Sequence, residues 1–577
     1  MSKIRNNKQR FVLKVGTKRL RENNWNLNIS IDEAKGHDEL IALAESSTIR
    51  FIDELCGRSS SRIGSTVHQM RCEIRALKRE PSTVAGDEKI RELYDEIDKL
   101  QFLPEYLCIV VDRPSDYRKA CGGFIVNGLK FKRLLGTPGG IKNSTIVFVA
   151  EQNYHGTAIY DVIVKRLDNG RNMSMPLVPA KFEAYKALSC SASIPVPAPK
   201  GVIVVQDCVT KFKSDYILLD DEDEGEPAMS LVKDGEIELD ASDGYGLISP
   251  RLAERWSKHL GEPSMVSGFC IRNAFCKGMV FPFDFVGFAN CTVGDYIITD
   301  AWGFKRDVRD ADLILTTSML KLWDSYHSIE AYLSNCYKNH YSFSVTKTCE
   351  LERTNCRELN YQFIQSYDLS DEDIEELIRP TLDDICGVLG GDVNKSILFL
   401  KGDRQNEEAL GGYDDDFSKA LMINPEVVND PYVRERICQM IQRRIDNAKL
   451  GRVRVRGDYS VISGDPYSLC QSMFGLPVTG LLNAGEVYSG YWNKRGVDEV
   501  VCFRAPMSCH NNIRKAKVAR NAKMDYWYQY MPDVLILNDW DMMTQALNGA
   551  DSMKESRPSA MAECEFGELV NARCEAA

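Results

Sequence analysis

Between Arg452 and Asp551 the chain is cut into short β-prone runs by Gly, Pro and Asn: VRVRGDYSVISGDPYSL, GLLNAGEVYSGYW, VVCFRAPMSCHNNIRKAKVAR and VLILNDWDMMTQALNGAD. Runs this short, broken this often, read as β-strands joined by turns rather than as helices. A second β-rich block lies upstream. Leu107–Val111 (LCIVV), Thr145–Val149 (TIVFV) and Val202–Val205 (VIVV) are bounded by the same turn residues. Elsewhere the apolar period is three to four. Ile90, Leu93, Tyr94, Ile97 and Leu100 form one stripe. Ile374, Leu377, Ile378, Leu382 and Ile385 form another, with Ser370 and Asp371-Glu372-Asp373 reading as a capping box. Val433, Ile437, Met440, Ile441 and Ile445 form a third, ringed by Arg434, Arg436, Arg443 and Arg444. The order is therefore helical, β-rich, helical, β-rich, an α+β chain whose two β-rich blocks can be copies of one architecture. The expected division is a helical N-terminal region over 1–103, a first β domain over 104–310, a helical connection over 311–450, a second β domain over 451–552 and a tail over 553–577. Residues 1–30 are polar and basic and read as partly disordered. Ser191–Lys200 reads as a Pro-rich loop, and Asp220–Asp240 as a surface excursion.

Charge narrows the partners. The chain has 577 residues and a net charge of −11, but the charge is blocked. LDDEDEGE over Leu219–Glu226 and YDDD over Tyr413–Asp416 are acidic, whereas Lys and Arg far outnumber Asp and Glu from Arg434 to Lys523. A basic segment in an acidic chain fits a channel that grips a polyanion; a solvated basic surface is the plainer alternative. No run of 18 or more apolar residues and no apolar signal core occur, so no membrane partner is expected and the cytoplasm is the expected location. The 19 cysteines include no C-x-x-C pair and read as reduced thiols. Gly136-Thr137-Pro138-Gly139-Gly140-Ile141-Lys142 misses the spacing of a phosphate-binding P-loop and reads as a turn joining two strands. Neither H-E-x-x-H nor G-x-S-x-G is present, which removes the usual zinc-protease and serine-hydrolase patterns.

Five segments stand in a telling order: Asp243-Gly244-Tyr245-Gly246-Leu247-Ile248-Ser249; Ile271-Arg272-Asn273-Ala274-Phe275-Cys276-Lys277-Gly278-Met279; Thr316-Thr317-Ser318-Met319-Leu320-Lys321; Arg504-Ala505-Pro506-Met507; and Asn538-Asp539-Trp540-Asp541 through Ala546-Leu547-Asn548-Gly549-Ala550-Asp551. In this order, over about Tyr106 to Asp551, the chain resembles the RNA-dependent RNA polymerases of eukaryotic gene silencing, and more closely their single-subunit relatives in bacteriophages and bacteria. The resemblance implies two double-psi β-barrels and nucleotidyl transfer from NTPs to an RNA 3′ end on an RNA or DNA template. If the chain is phage-encoded, that work takes place in the cytoplasm of a bacterial host. It implies that Lys277 and Lys321 act on nucleotide phosphates and the primer end. It further implies that Arg272, Arg504, His510, Arg514 and Lys515 face nucleotide or nucleic acid, and that Asp551 is a catalytic ligand of Mg²⁺. Carboxylates and lysines suffice for phosphoryl transfer because that chemistry needs mainly positioning and charge.

The pattern then breaks. After Ser552 the family calls for Asp-Gly-Asp; this chain has Met553-Lys554-Glu555. One carboxylate beside a lysine is a poor Mg²⁺ site. Two accounts follow: a gene interrupted at its catalytic codons by an intron or frameshift, or a protein that has lost catalysis and kept nucleic-acid binding. On either, this polypeptide alone is expected not to polymerise. The tail after Ser552 shows no strand period.

Overall fold

The computed structural model describes residues 9–81, 83–137, 145–220, 228–349, 351, 356–359, 361–366, 369–401, 416–504, 513–541 and 559–562. Three seven-stranded sheets carry the fold.

The first sheet comprises β1 (Arg10–Gly16), β2 (Asn26–Leu27), β3 (Leu40–Leu43), β4 (Phe102–Val110), β5 (Phe124–Val126), β6 (Leu129–Gly136) and β7 (Thr145–Ala150), in the order β2-β5-β6-β7-β4-β1-β3. Its central strands are buried on both faces. Val12, Cys108, Val147 and Val149 point into one core with Ile49, Ile52, Ile159 and Ile163. Leu13, Leu107, Ile109 and Phe148 point into the other with Leu20, Phe124 and Phe131. Double-sided burial is why β4 and β7 read as continuous apolar runs without alternation. It also explains a difference from expectation. These two runs join β1 and β3 from the first 43 residues, so the sheet crosses the boundary expected at residue 103. The basic composition of residues 1–30 masked the apolar run of β1, which sends Val12 into one core and Leu13 and Val15 into the other. The expected helices are present beside it: Ser47–Leu55, Ser60–Leu77 and Val84–Gln101. In the last, Leu93 and Ile97 pack on Val67 and Ile74, whereas Tyr94 stays exposed beside Lys78. β6 and β7 pair antiparallel on either side of the Gly136–Lys142 segment, most of which lies outside the described residues.

The second sheet and its annexes hold β8 (Ile194–Pro195), β9 (Val202–Val205), β10 (Val209–Asp220), β11 (Ala228–Asp240), β12 (Tyr245–Ile248), β13 (Phe269–Asn273), β14 (Cys276–Pro282), β15 (Ile297–Thr299), β16 (Lys305–Asp307), β17 (Leu313–Thr316) and β18 (Ser344–Thr348). The sheet order is β8-β18-β13-β14-β12-β17-β9; β10 and β11 form a separate two-stranded ribbon, as do β15 and β16. The surface excursion expected over Asp220–Asp240 is thus the second half of a long hairpin. Pro195 sits on the edge strand, where a missing N–H costs least. β17 and β18 carry this sheet past residue 310, the expected start of the helical connection.

That connection contains the helices Asp371–Leu389, Val393–Lys401, Asp416–Ile423 and Pro431–Lys449. The capping box at Ser370 and Asp373 is formed in both directions. Of the expected stripe, Leu377 and Ile385 are buried but Ile374 and Leu382 are exposed. Val433, Ile437 and Ile441 are buried against Ile385 and Val388.

The third sheet comprises β19 (Cys356–Glu358), β20 (Arg454–Ser463), β21 (Glu486–Tyr488), β22 (Glu499–Phe503), β23 (Ile513–Val518), β24 (Val534–Leu537) and β25 (Ser559–Ala562), in the order β19-β20-β24-β21-β23-β22-β25. β25 pairs with both β22 and β20 and so closes the sheet on itself. Closure removes the open edges that a curled sheet would otherwise present. This strand comes from the tail in which the sequence shows no strand period.

The second and third sheets share one core. Tyr245, Phe281, Phe283 and Phe288 from the first β domain pack with Tyr467, Leu469, Trp527, Tyr528 and Ile536 from the second. Phe283 stacks on Trp527 at 5.6 Å, and Phe288 meets Tyr467 edge-on at 5.0 Å. At Gly464 the two backbones nearly touch: a Cβ there would lie 2.3 Å from the Ala241 carbonyl oxygen, so only glycine fits. The chain is α+β, with two curled half-barrel sheets joined by a shared core and separated in sequence by helices.

Candidate active site

The β13–β14 hairpin supplies the first element. Arg272 stands directly opposite Lys277, so both side chains leave the same face of the ribbon. Cys270, Met279 and Phe281 leave that face too, and they belong to the core shared by the two β domains. The two cations therefore continue the row that looks toward the domain junction. Directly opposed like charges destabilise a sheet pair, which favours an anion between them. Arg272 donates to the Ile271 carbonyl at 2.7 Å, and its Nε is buried without an acceptor.

Lys321 joins them through the backbone. Lys277 N–H donates to the Met319 carbonyl at 2.9 Å, and Lys321 N–H donates to the Phe275 carbonyl at 3.2 Å. The TTSMLK segment is thus laid against the tip of the hairpin. The DGYG segment is bound to the same place: Met279 N–H donates to the Gly244 carbonyl at 3.0 Å, and Gly244 N–H donates to Ser318 Oγ at 2.8 Å. At Gly278 a Cβ would lie 2.4 Å from the Gly244 carbonyl oxygen, which accounts for glycine after Lys277. Three motif segments far apart in sequence meet in one cluster.

Carboxylates line the cluster. Asp207, just past β9, accepts from Thr317 Oγ1 at 2.6 Å, from Ser318 N–H at 2.8 Å and Oγ at 2.6 Å, and from Ser242 Oγ at 3.0 Å. Asp240, at the end of β11, is pushed up to about 7 by burial and by the charges of Asp207 and Asp243; Lys321 pulls the other way. A carboxyl raised by burial and by neighbouring carboxylates, beside a lysine, is the kind of group that functional clefts hold.

The junction itself holds two further buried carboxylates. Asp465 caps the helix Pro466–Met473. It accepts from Tyr467 N–H at 2.8 Å, Leu481 N–H at 2.7 Å and the Tyr528 hydroxyl at 2.7 Å. Burial raises it, while those donors lower it. Asp539 is raised well above the carboxylate range, first by burial and then by Asp465. The Thr210 hydroxyl donates to the Asp539 carbonyl at 2.7 Å, from one β domain to the other.

The remaining expected cations lie on the second β domain. Arg504 is buried just after β22. Arg514 is opposite Cys502 and Lys515 opposite Val501, so these neighbours leave opposite faces of the strand. Lys515 is paired with Glu499 at 2.8 Å. His510 and Asp551 lie outside the described residues. Among the described residues no group of three or more His, Cys, Asp or Glu side chains comes together to hold a metal ion, and no helix is long and apolar enough to cross a membrane. The described cysteines are free thiols.

The structure thus brings Arg272, Lys277 and Lys321 together and sets Arg504, Arg514 and Lys515 on a second hairpin. Sequence reasoning missed Asp207, Asp240, Asp465 and Asp539. Each follows or ends a strand or precedes a helix, where an isolated Asp reads as an ordinary turn or cap residue. Chemically, clustered cations beside a titrating carboxyl suit a polyphosphate.

A family profile described as RNA dependent RNA polymerase matches residues 98–546. Among curated proteins, the DNA-directed RNA polymerase YonO of Bacillus phage SPbeta is 27% identical over 420 residues, covering 70% of this chain and 46% of that protein. Among solved structures, the RNA dependent RNA polymerase QDE-1 from Thielavia terrestris matches with a TM-score of 0.53 at 14% identity, covering 80% of this chain and 49% of that one. This chain therefore spans about half the length of these relatives, and the likeness to QDE-1 bears on fold alone.

Proposed function

The chain belongs to the RNA-dependent RNA polymerase family, and on that footing we propose that its two half-barrel sheets are the double-psi barrels of a nucleotidyl-transfer centre that adds NTPs to an RNA 3′ end. The observation that carries the reading is the opposition of Arg272 and Lys277 with Lys321 tied alongside. In this reading Lys277 and Lys321 hold the triphosphate and the primer end, and Arg272 neutralises phosphate charge. Arg504, His510, Arg514 and Lys515 contact nucleotide or nucleic acid from the second barrel. Positioning and charge neutralisation are the main demands of phosphoryl transfer. The matched relatives are named for both DNA-directed and RNA-dependent synthesis, so either template is compatible, with nascent RNA as product. A phage relative supports the cytoplasm of a bacterial host as the place of action.

Mg²⁺ belongs to this chemistry in the family, but neither the sequence after Asp551 nor the described residues supply the expected set of ligands for it. Asp551 is followed by Ser552, Met553 and Lys554, and the described residues offer no cluster of ligands. We accordingly propose that this polypeptide by itself binds nucleotide and nucleic acid without turnover. The second reading, a nucleic-acid-binding relative of such polymerases without catalysis, is favoured by the same break. Primer extension on RNA and DNA templates, run beside NTP binding, tests both. NTP binding that weakens about ten-fold in Lys277→Ala and Lys321→Ala, without extension, is the expected result. Extension by the 577-residue chain would overturn the claim of no turnover. Absence of both NTP and nucleic-acid binding would overturn the polymerase reading.

A further inference from the structure

A second polar pocket lies beside the third sheet, at the end of β21. Its volume is about 480 Å³, within the range of small-ligand sites. It is bounded by the helix Gly490–Lys494, the loop that carries Arg520, and the helix Ala522–Trp527 with the residues after it. Tyr488 and Tyr528 form its floor, their rings 4.9 Å apart.

The polar groups sort into two kinds. Lys494 and Arg520 are the cations. Lys494 is exposed and has no ion-pair partner among the described residues. Arg520 is held in place: its Nε donates to Asn493 Oδ1 at 3.0 Å, and it pairs with Asp498 at 3.0 Å on the outer side. Asn493 is pinned in turn by donating to the Ala519 carbonyl at 3.2 Å. Asp525 and Gln529 are the acceptors. Asp525 takes the Tyr488 hydroxyl on Oδ1 at 3.0 Å, which leaves Oδ2 for an incoming donor. Gln529 donates its amide to the Tyr526 carbonyl, which turns its oxygen outward as a second acceptor.

A ligand that satisfies both kinds carries an anion at one end and hydroxyl donors at the other. Ribose phosphate has that chemistry: a carboxylate accepts from a ribose hydroxyl, and ammonium and guanidinium groups hold phosphate. Lys517 and Lys523 add exposed positive charge to the same stretch, Lys523 lying 4.7 Å over the Tyr467 ring. We propose that this pocket binds one ribose-phosphate unit, with the phosphate on Lys494 and Arg520 and a ribose hydroxyl on Asp525. The unit is either a free ribonucleotide or one residue of an RNA strand. The pocket is separate from the Arg272–Lys277–Lys321 cluster. Its floor nonetheless reaches the domain junction, because the Tyr528 hydroxyl donates onward to Asp465.

The test is a fluorescence-anisotropy titration of the full 577-residue protein with labelled RNA and DNA octamers of one sequence, at two salt concentrations. The expected result is tighter binding of RNA than of DNA. Lys494→Glu weakens RNA binding about five-fold and lowers the salt slope by about one. Asp525→Asn keeps an oxygen for the Tyr488 hydroxyl and removes the RNA preference by weakening RNA binding alone. AMP identifies the source: competition that Lys494→Glu abolishes makes the occupant a free nucleotide, and variant-sensitive RNA binding without AMP competition makes it part of a strand. Both variants matching wild type on RNA, with AMP binding unaffected, would overturn the proposal. Lys494 is exposed and has no ion-pair partner among the described residues, so an unchanged melting temperature separates lost binding from lost folding. The polymerase reading is tested separately, by primer extension and by the response of NTP binding to Lys277→Ala, and neither of these uses Lys494 or Asp525, so the pocket and the polymerase reading fail or stand separately.

Discussion

The hydroxyl of Thr210 donates across the domain junction to the main-chain carbonyl of Asp539 at 2.7 Å, and both residues are buried. One hydrogen bond thus fastens the base of the β10–β11 ribbon to the loop after β24. Thr210→Val keeps the shape and leaves that carbonyl without its donor. The expected cost is about 1–3 kcal/mol, read as a lower urea midpoint at unchanged slope.

The opposed pair Arg272 and Lys277 makes a stability–function trade. Arg272→Gln removes the like-charge opposition, and the ligand-free protein is expected to gain about 0.2–1 kcal/mol. The same variant should lose most of the upward shift in melting temperature that inorganic pyrophosphate gives the wild type. Thermal melts with and without pyrophosphate check both signs. A variant that melts lower than wild type without pyrophosphate would show that the opposition is not costly.

Asp240 makes stability depend on pH. Its folded value is about 7 against an ordinary 3.8, so between those values the folded protein binds more protons than the unfolded chain. Stability from this group is therefore full at acid pH, falls as pH rises from about 4 to 7, and is flat above. Asp539 shifts in the same direction and adds to the fall. Asp240→Asn should flatten the profile between about pH 4 and 7. Urea midpoints at pH 5, 7 and 9 read the difference.

The shared core predicts one unfolding event for both β domains. Phe288 packs on Tyr467, Phe474 and Trp527. Phe288→Ala should cost about 3–5 kcal/mol and lower the transition seen by probes in either β domain equally. Two separated transitions in the variant would contradict a common core.

The motif order was a good guide to proximity. It pointed to Lys277, Lys321 and Arg272, and the backbone bonds of Phe275, Met319 and Gly244 show why these spacings matter: each motif supplies one wall of a single crossing point. Sheet membership was harder to read. A strand buried on both faces has the same composition in any sheet, so Leu107–Val111 gave no sign that it pairs with Arg10–Gly16, which in turn pairs with Leu40–Leu43. β25 was invisible for the opposite reason, since SAMA has no apolar alternation and its place is set by the gap between β20 and β22. The buried acids were illegible because burial depends on the far side of the junction. Nothing local distinguishes Asp539 from the neighbouring Asp541.

The β10–β11 ribbon has a mechanical meaning. Its strands run for 12 and 13 residues, about 40 Å at the usual rise, and pair with each other rather than with any of the three sheets. Both of its feet stand at the junction: Asp207 lies just before one, Asp240 ends the other, and Thr210 is pinned to Asp539. The ribbon is a lever with its fulcrum among those carboxylates. A sideways load at its far end becomes a torque on Asp207 and Asp240, multiplied by the length of the arm.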